Sequence, residues 1–419
     1  MTLVMTVLFA VLLVLSVPVG YALIVAAGTA ILLQGGTPTV LAVVKLFQPT
    51  QSFPLLAIPF FILSGSLMMS GTLGQKLVNF AAAMVGRFHG GMGQVTVVGS
   101  TIFGGVSGSA VAEASALGSM LIPWQKREGY PGGFAAAVTA SSSTIAGLIP
   151  PSIPLILYST VSNASIAALF TAAILPGLML AVGFMVVCYV SGRMRNFPRL
   201  TDRSQYAGFG RLLVSAAPAL AMPFFIVILL RAGIATPTEV SVIAVFYALM
   251  VSALLYRDLT LARIKDALVG TVITTGIVML VITASSLVGH VLISERIPTL
   301  VAQWAQTTLG TAFLIILMMN LIMLVIGMFL DLPAAILLLG PTFVAIGQAI
   351  GMDPIQLGVM ICINLSIGLF TPPIGTTLFI GAAIARVPIG AVVRELWPFY
   401  LVAFIVLILM SYVPAFTFY

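Results

Sequence analysis

Residues 141–152 read SSSTIAGLIPPS, a run of hydroxyls leading into a proline pair. Proline removes a backbone donor and clashes with the preceding turn, so a Pro-Pro pair opens any helix that contains it. Yet the flanks are apolar, from Phe134 to Ala140 before it and from Ile153 to Leu157 after it. The stretch has a twin. Residues 364–375 read NLSIGLFTPPIG, and Pro150-Pro151 and Pro372-Pro373 lie 222 positions apart. The same offset separates Gly105 from Gly327, Gly118 from Gly340, Gly129 from Gly351 and Pro176 from Pro398. Five anchors over about seventy residues keep one register without a gap, the mark of an internal repeat.

Composition sets the medium in which these breaks sit. Of 419 residues, 61% are hydrophobic and 6% charged, with mean hydropathy +1.22. Soluble domains carry about 25% charged residues, so the chain reads as an all-α polytopic membrane protein. A barrel would need short alternating segments, whereas Phe399 to Met410 is one unalternated run. The formal charge of +7 comes from basic residues in short loops, which is a topology signal rather than a nucleic-acid footprint. Cys188 and Cys362 lie in apolar runs, and His89 and His290 are far apart, so neither a disulfide framework nor a transition-metal or haem centre is expected. No charge precedes Lys45, so the N-terminus lacks the basic region of a cleaved signal and reads as the first membrane segment.

Spanning helices need about 20 apolar residues. Candidates lie at 2–16, 18–33, 53–70, 134–159, 166–190, 212–230, 239–256, 268–293, 311–326, 355–385 and 396–415. Segments 92–123 and 327–346 are interrupted by Gly, Ser, Asp or Pro and are expected to be re-entrant hairpins. Lys and Arg mark the cytoplasmic side. Arg87, His89, Lys126 and Arg127 flank the first hairpin, which should enter from the cytoplasm. Loop 191–211, with Arg193, Arg195, Arg199, Arg203 and Arg211 against Asp202, should lie there too. Arg257, Arg263 and Lys265 fall inside again, so the second hairpin, flanked by Glu295, Arg296 and Asp353, should enter from the periplasm. The expected organisation is two inverted repeats, 1–200 and 201–419. Each holds scaffold helices, a hairpin (about 92–123 and 327–346) and a broken helix (about 134–159 and 355–385).

Lipid cannot satisfy a bare backbone, so irregular segments at membrane depth are buried in protein or line a cavity. There are four: the tips 106–110 and 329–333, and the breaks 141–151 and 364–373. Freed carbonyls with nearby hydroxyls suit a hard monovalent cation such as Na⁺, and half-helix N-termini suit a carboxylate. One tip and one break per copy would form a cation site, with substrate between the two. The offset pairs Asp331 with Ser109 and Asn364 with Ser142. Asp331 and Glu113 are intramembrane carboxylates, of which Asp331 is the stronger functional candidate. His290 is expected to be a buried, hydrogen-bonded residue, Trp304 an interface anchor, and the basic residues of 193–211 solvated charges free to touch anionic phospholipid. The string Gly105-Val106-Ser107-Gly108 admits an intramembrane serine hydrolase, but a nucleophile needs a base and the second copy has no serine there. A passive anion channel with oxygen-lined breaks is the nearer alternative.

The stretches FPLLAIPFFILSGSLM (53–68), GGVSGSAVAEASALGSMLIP (104–123), GYPGGFAAAVTASSSTIAGLIPPSIPLILYS (129–159) and LFTPPIGTTLFIG (369–381) closely resemble the large membrane subunit of TRAP transporters, the DctM-like subunit. The resemblance covers essentially the whole chain. It implies a non-enzymatic, sodium-coupled importer of organic acids (dicarboxylates, sugar acids, sialic acid) in the bacterial inner membrane. An ion-transporter-like elevator fold, a periplasmic substrate-binding protein and a small four-helix membrane subunit go with it. The chain starts at the large subunit's first segment, so the small subunit is expected as a separate polypeptide. No cofactor is implied beyond Na⁺ as coupling ion. Carried over by position, the sodium regions fall on Ser107, Gly108, Ser109, Ser143, Thr144 and Gly147, and on Leu330, Asp331, Gly368, Thr371, Gly375 and Thr376. Substrate contacts are expected at Ser107, Ser142, Pro150, Pro151, Asp331, Asn364, Pro372 and Pro373.

Overall fold

A computed structural model describes residues 1–33, 39–69, 72–200 and 209–418; Asp202 and Arg203 of the basic loop lie outside them. The described residues are helical throughout, with no strand. Helices α1 (Thr2–Val14), α2 (Val19–Leu33), α3 (Thr39–Phe47) and α4 (Ala57–Met69) come first. Next are α5 (Thr72–Val85), the pair α6 (Gly91–Ser107) and α7 (Ala110–Arg127), then α8 (Gly132–Ser142) and α9 (Ile153–Ser162). Four long helices follow: α10 (Ile166–Met194), α11 (Phe209–Arg231), α12 (Pro237–Met250) and α13 (Leu261–Ser294). The chain closes with α14 (Ile297–Leu309), the pair α15 (Ala312–Gly327) and α16 (Leu332–Ala349), then α17 (Pro354–Leu369), α18 (Thr376–Ala385) and α19 (Ile389–Tyr412).

Polar contacts sort the helix ends into two groups. At one end Asp258 accepts from the Thr72 backbone N–H at 2.7 Å, and Arg195 pairs with Glu395 at 2.7 Å. There too Lys126 donates to the Ala385 carbonyl at 2.8 Å and Tyr130 to the Pro198 carbonyl at 2.8 Å. At the other end Tyr158 donates to the Pro354 carbonyl at 2.8 Å, Gln306 to Ala349 at 2.6 Å and Tyr412 to Phe313 at 3.1 Å. The first end also holds Lys76, Arg87, Arg127, Arg257, Arg263, Lys265, Arg386 and Arg394, so the basic residues gather there. Burial disfavours the charged form of Asp258 there, but hydrogen bonds from Thr72 and a 3.0 Å pair with Arg263 outweigh it and hold the carboxyl below its usual range. The α6–α7 pair opens at this end, and the α15–α16 pair opens at the opposite one.

Among the described residues six helices are long and apolar enough to cross a membrane, or seven if the pair 42–51 and 53–69, bent by 60°, is one span. Several expected spans are corrected. Segments 2–16 and 18–33 form short helices of 13 and 15 residues. At 1.5 Å per residue each reaches only about 20 Å, and a turn at Ser16 (φ +62°) folds them against each other. Segment 311–326 is not a separate span but the entering arm of the second hairpin; the tip is Met328–Asp331, and Pro333 opens the returning arm. Both broken helices are present as half-helices. In each the proline pair has a cis peptide bond, Pro150-Pro151 and Pro372-Pro373.

Candidate functional site: two hairpin tips against two helix breaks

Each tip is seated on the break that follows it. At the first, α6 ends at Ser107 and Gly108 turns the chain with φ +63°. A Cβ on Gly108 would lie 2.1 Å from the Pro151 carbonyl oxygen, so only glycine lets the tip meet the proline pair. The Ile153 N–H, first in α9, donates to the Gly108 carbonyl at 3.4 Å. Ser109 caps α7 by accepting from the Ala112 N–H. At the second tip the Ile374 N–H donates to the Met328 carbonyl at 3.3 Å. Close approach there falls to another residue: a Cβ on Gly368 would lie 2.4 Å from the Gly327 backbone.

A side-chain bond pins each break to its hairpin arm. Ser100 on α6 donates to Ser142 at 2.9 Å, and Asn364 donates to the Asn320 side-chain oxygen on α15 at 2.8 Å. The breaks also meet each other. Thr377, at the start of α18, lies 3.0 Å from the carbonyls of Ala140, in the last turn of α8 before the first break, and of Leu369 in the second. A Cβ on Gly147 would touch the Ser366 hydroxyl at 3.3 Å. Tyr400 donates to the Phe370 carbonyl at 2.8 Å and steadies the second break from α19.

The hydroxyls around the breaks are arranged as acceptors. Ser143 donates to the Ala140 carbonyl at 3.1 Å, Thr144 to Ser141 at 2.6 Å and Thr371 to Ile367 at 2.6 Å. With its proton committed to the helix, each oxygen keeps free lone pairs. Four side chains here carry buried oxygens with no hydrogen-bond partner among the described residues: Glu113, Asn364, Ser366 and Thr376. A buried oxygen without a donor is costly, and a cation between the breaks would relieve that cost. Among the described residues no three His, Cys, Asp or Glu side chains converge on one point. Any ion would therefore rest mainly on neutral oxygens, which suits Na⁺ over a transition metal.

The expected residues divide between the two pairs. Ser107, Gly108, Ser109, Ser142, Ser143, Thr144, Gly147, Pro150 and Pro151 come together in and around the first tip–break contact. Leu330, Asn364, Gly368, Thr371, Pro372, Gly375 and Thr376 belong to the second. Asp331 ends the second tip, where it is exposed and makes no capping bond with α16; Pro373 is exposed as well. Ser100, Asn320 and Thr377 were not anticipated. Asn320 is signalled as a lone polar residue in an apolar helix, whereas Ser100 and Thr377 each sit beside a threonine, Thr101 and Thr376, with nothing in the sequence to single them out. His290 is also corrected: it is half-buried, lines a cleft and has no hydrogen-bond partner among the described residues. His89 sits against Arg199 at the basic end, a helix length of about 25 Å from Ser107. Neither histidine can serve Ser107 as a base.

The family model for the tripartite ATP-independent periplasmic transporter, DctM component, matches residues 6–416. The chain belongs to this family. It is 36% identical to the C4-dicarboxylate TRAP transporter large permease protein DctM of Pseudomonas aeruginosa, over 89% of this chain and 87% of that one. It is also 36% identical to the sialic acid TRAP transporter large permease protein SiaM of Vibrio cholerae, over 96% and 93% of the two chains. The fold resembles that of MtrF from Neisseria gonorrhoeae, described as illuminating a class of antimetabolite efflux pumps. That match has a TM-score of 0.51 and 15% identity, over 86% of this chain and 79% of that one. The chain is thus a TRAP large permease subunit, a transport protein of the inner membrane and not an enzyme.

Proposed function

We propose that this subunit imports an organic acid by coupling it to Na⁺, with one cation site at each tip–break pair and the substrate carboxylate between them. The observation that carries the reading is the group of buried, donor-less oxygens of Asn364, Ser366, Thr376 and Glu113 beside two opened helices. In this reading the two halves, 1–200 and 201–419, are inverted copies. The hairpins and breaks move as one body past the scaffold helices, carrying the site between the membrane faces. Glycine contacts support such sliding: Gly65 on α4 faces the Ser107 backbone, where a Cβ would meet Val106 at 2.8 Å. The names of the relatives, C4-dicarboxylate and sialic acid permeases, support a carboxylate cargo. A periplasmic binding protein and a small membrane subunit complete the system. Each charge moving down 100 mV contributes about 2.3 kcal/mol, so two ions suffice to concentrate a monoanion.

The test is uptake of labelled succinate or N-acetylneuraminate into liposomes holding both membrane subunits, with the loaded binding protein outside. Accumulation should need an inward Na⁺ gradient and collapse when it is dissipated. Equilibration to equal concentrations without Na⁺ would instead make the protein a passive channel.

A further inference from the structure

Two clefts lie at opposite ends of scaffold helix α13, between the scaffold and the hairpin bodies. The outer one, about 520 Å³, is lined by Lys45, Gln48, Ser52, Ser285 and His290 from the scaffold side and by Leu337 and Pro341 of α16. The inner one, about 400 Å³, is lined by Gly65, Asp266, Ala267, Gly270 and Thr274, and by Ser107 and Ser109 of the first tip. The clefts correspond under the 222 offset: Lys45 matches Ala267, Gln48 matches Gly270 and Ser52 matches Thr274. Their charges are opposite. The outer cleft holds a half-buried lysine and a histidine, and the inner one an exposed aspartate.

The outer groups look unfinished for a protein packing on itself. Lys45 bonds only to the neutral Gln48 oxygen, at 2.9 Å, and has no acidic partner among the described residues. The Ser285 hydroxyl is buried, 3% exposed, and has no hydrogen-bond partner among the described residues. His290 is likewise unbonded. A cation with convergent neutral donors is what a carboxylate needs. In a cleft with apolar walls such a charge acts at lower dielectric than in water and draws anions in.

We propose that the outer cleft captures the carboxylate of the incoming organic acid, through Lys45 with His290, Gln48 and Ser285. The inner counterpart, where Ala267 replaces the lysine and Asp266 adds a negative charge, expels it. The pair would bias passage inward electrostatically. This rests on the import reading above; Lys45, Gln48, Ser285 and His290 of the outer cleft lie outside the tip–break sites, whereas the inner cleft borders the first tip through Ser107 and Ser109.

Lys45 is the only lysine of the chain at the periplasmic end, since Lys76, Lys126 and Lys265 lie at the cytoplasmic one. A membrane-impermeant amine-acylating reagent added outside right-side-out liposomes of the two-subunit complex should therefore modify it, read by peptide mass spectrometry. Succinate or N-acetylneuraminate should protect it, and the neutral succinamide should not. Protection by neither acid, or equal protection by succinamide, overturns the proposal. So does labelling that responds only to phosphatidylglycerol in the liposomes, which would assign the cleft to a lipid phosphate. Lys45→Gln should raise the half-saturating substrate concentration about tenfold, worth about 1.4 kcal/mol, while Lys45→Arg keeps it near wild type. Unchanged half-saturation in Lys45→Gln overturns the proposal as well. Sodium-driven uptake in the same liposomes separates the two readings: protection without uptake sinks the import mechanism, and uptake without protection sinks the capture site.

Discussion

The two tip–break pairs reach similar geometry with different residues. The first is sealed: Pro150 and Pro151 are buried, Gly108 supplies the turn and its close contact, and serine hydroxyls surround it. The second is partly open: Pro373 and Ile374 are exposed, Asp331 ends the tip beside the Leu332 backbone, and the close contact has moved to Gly327 and Gly368. What the 222 register preserves is therefore the opening of the helix and the seat of the tip, not the chemistry of any one side chain. The first pair depends on backbone and hydroxyl oxygens. The second adds a carboxylate and an amide.

The contrast can be broken most forcefully at its glycines. Gly108→Ala and Gly368→Ala place a methyl inside backbone contact, and strain of that kind costs about 1–3 kcal/mol or more. Both should cut initial uptake more than about tenfold, and wild-type rates in either would show that tip seating is dispensable. Asp331→Asn comes next, with the half-saturating Na⁺ concentration rising about tenfold. Ser109→Ala, at the matching position, should move it less than about threefold, and equal shifts would erase the distinction between the pairs. Smaller again is Asn364→Ser, which swaps in the residue of the first break and loses the bond to Asn320. A thermal-shift assay should register a loss of about 0.6–1.5 kcal/mol. The smallest effect is expected for Ser107→Ala, with uptake within about twofold of wild type. A large loss there would mean its hydroxyl matters more than its position.

Much of this was legible because proline and glycine act through the backbone, which sequence spacing reports directly. The proline pairs located both breaks, and the basic loops gather at one end of the molecule. The second hairpin was misplaced because its entering arm, Ala312–Gly327, is unbroken and apolar enough to pass for a span. The register itself contained the answer, since Gly91 plus the offset falls at the start of that arm. Side-chain partners were not legible. Ser100 with Ser142, and Asn320 with Asn364, come from segments separated by 42 and 44 residues, and only the packing of hairpin against break brings them together. The opposite charges of the two clefts were hidden for the same reason, because Lys45 and His290 lie on different helices.

The most direct test needs no substrate. Equilibrium binding of radioactive ²²Na⁺ to the purified two-subunit complex should show at least two saturable sites in the wild type. One should weaken selectively in Asp331→Asn, and the other should persist. Absence of saturable binding, or a wild-type isotherm unmoved by Asp331→Asn, would contradict the assignment of one cation to each tip–break pair.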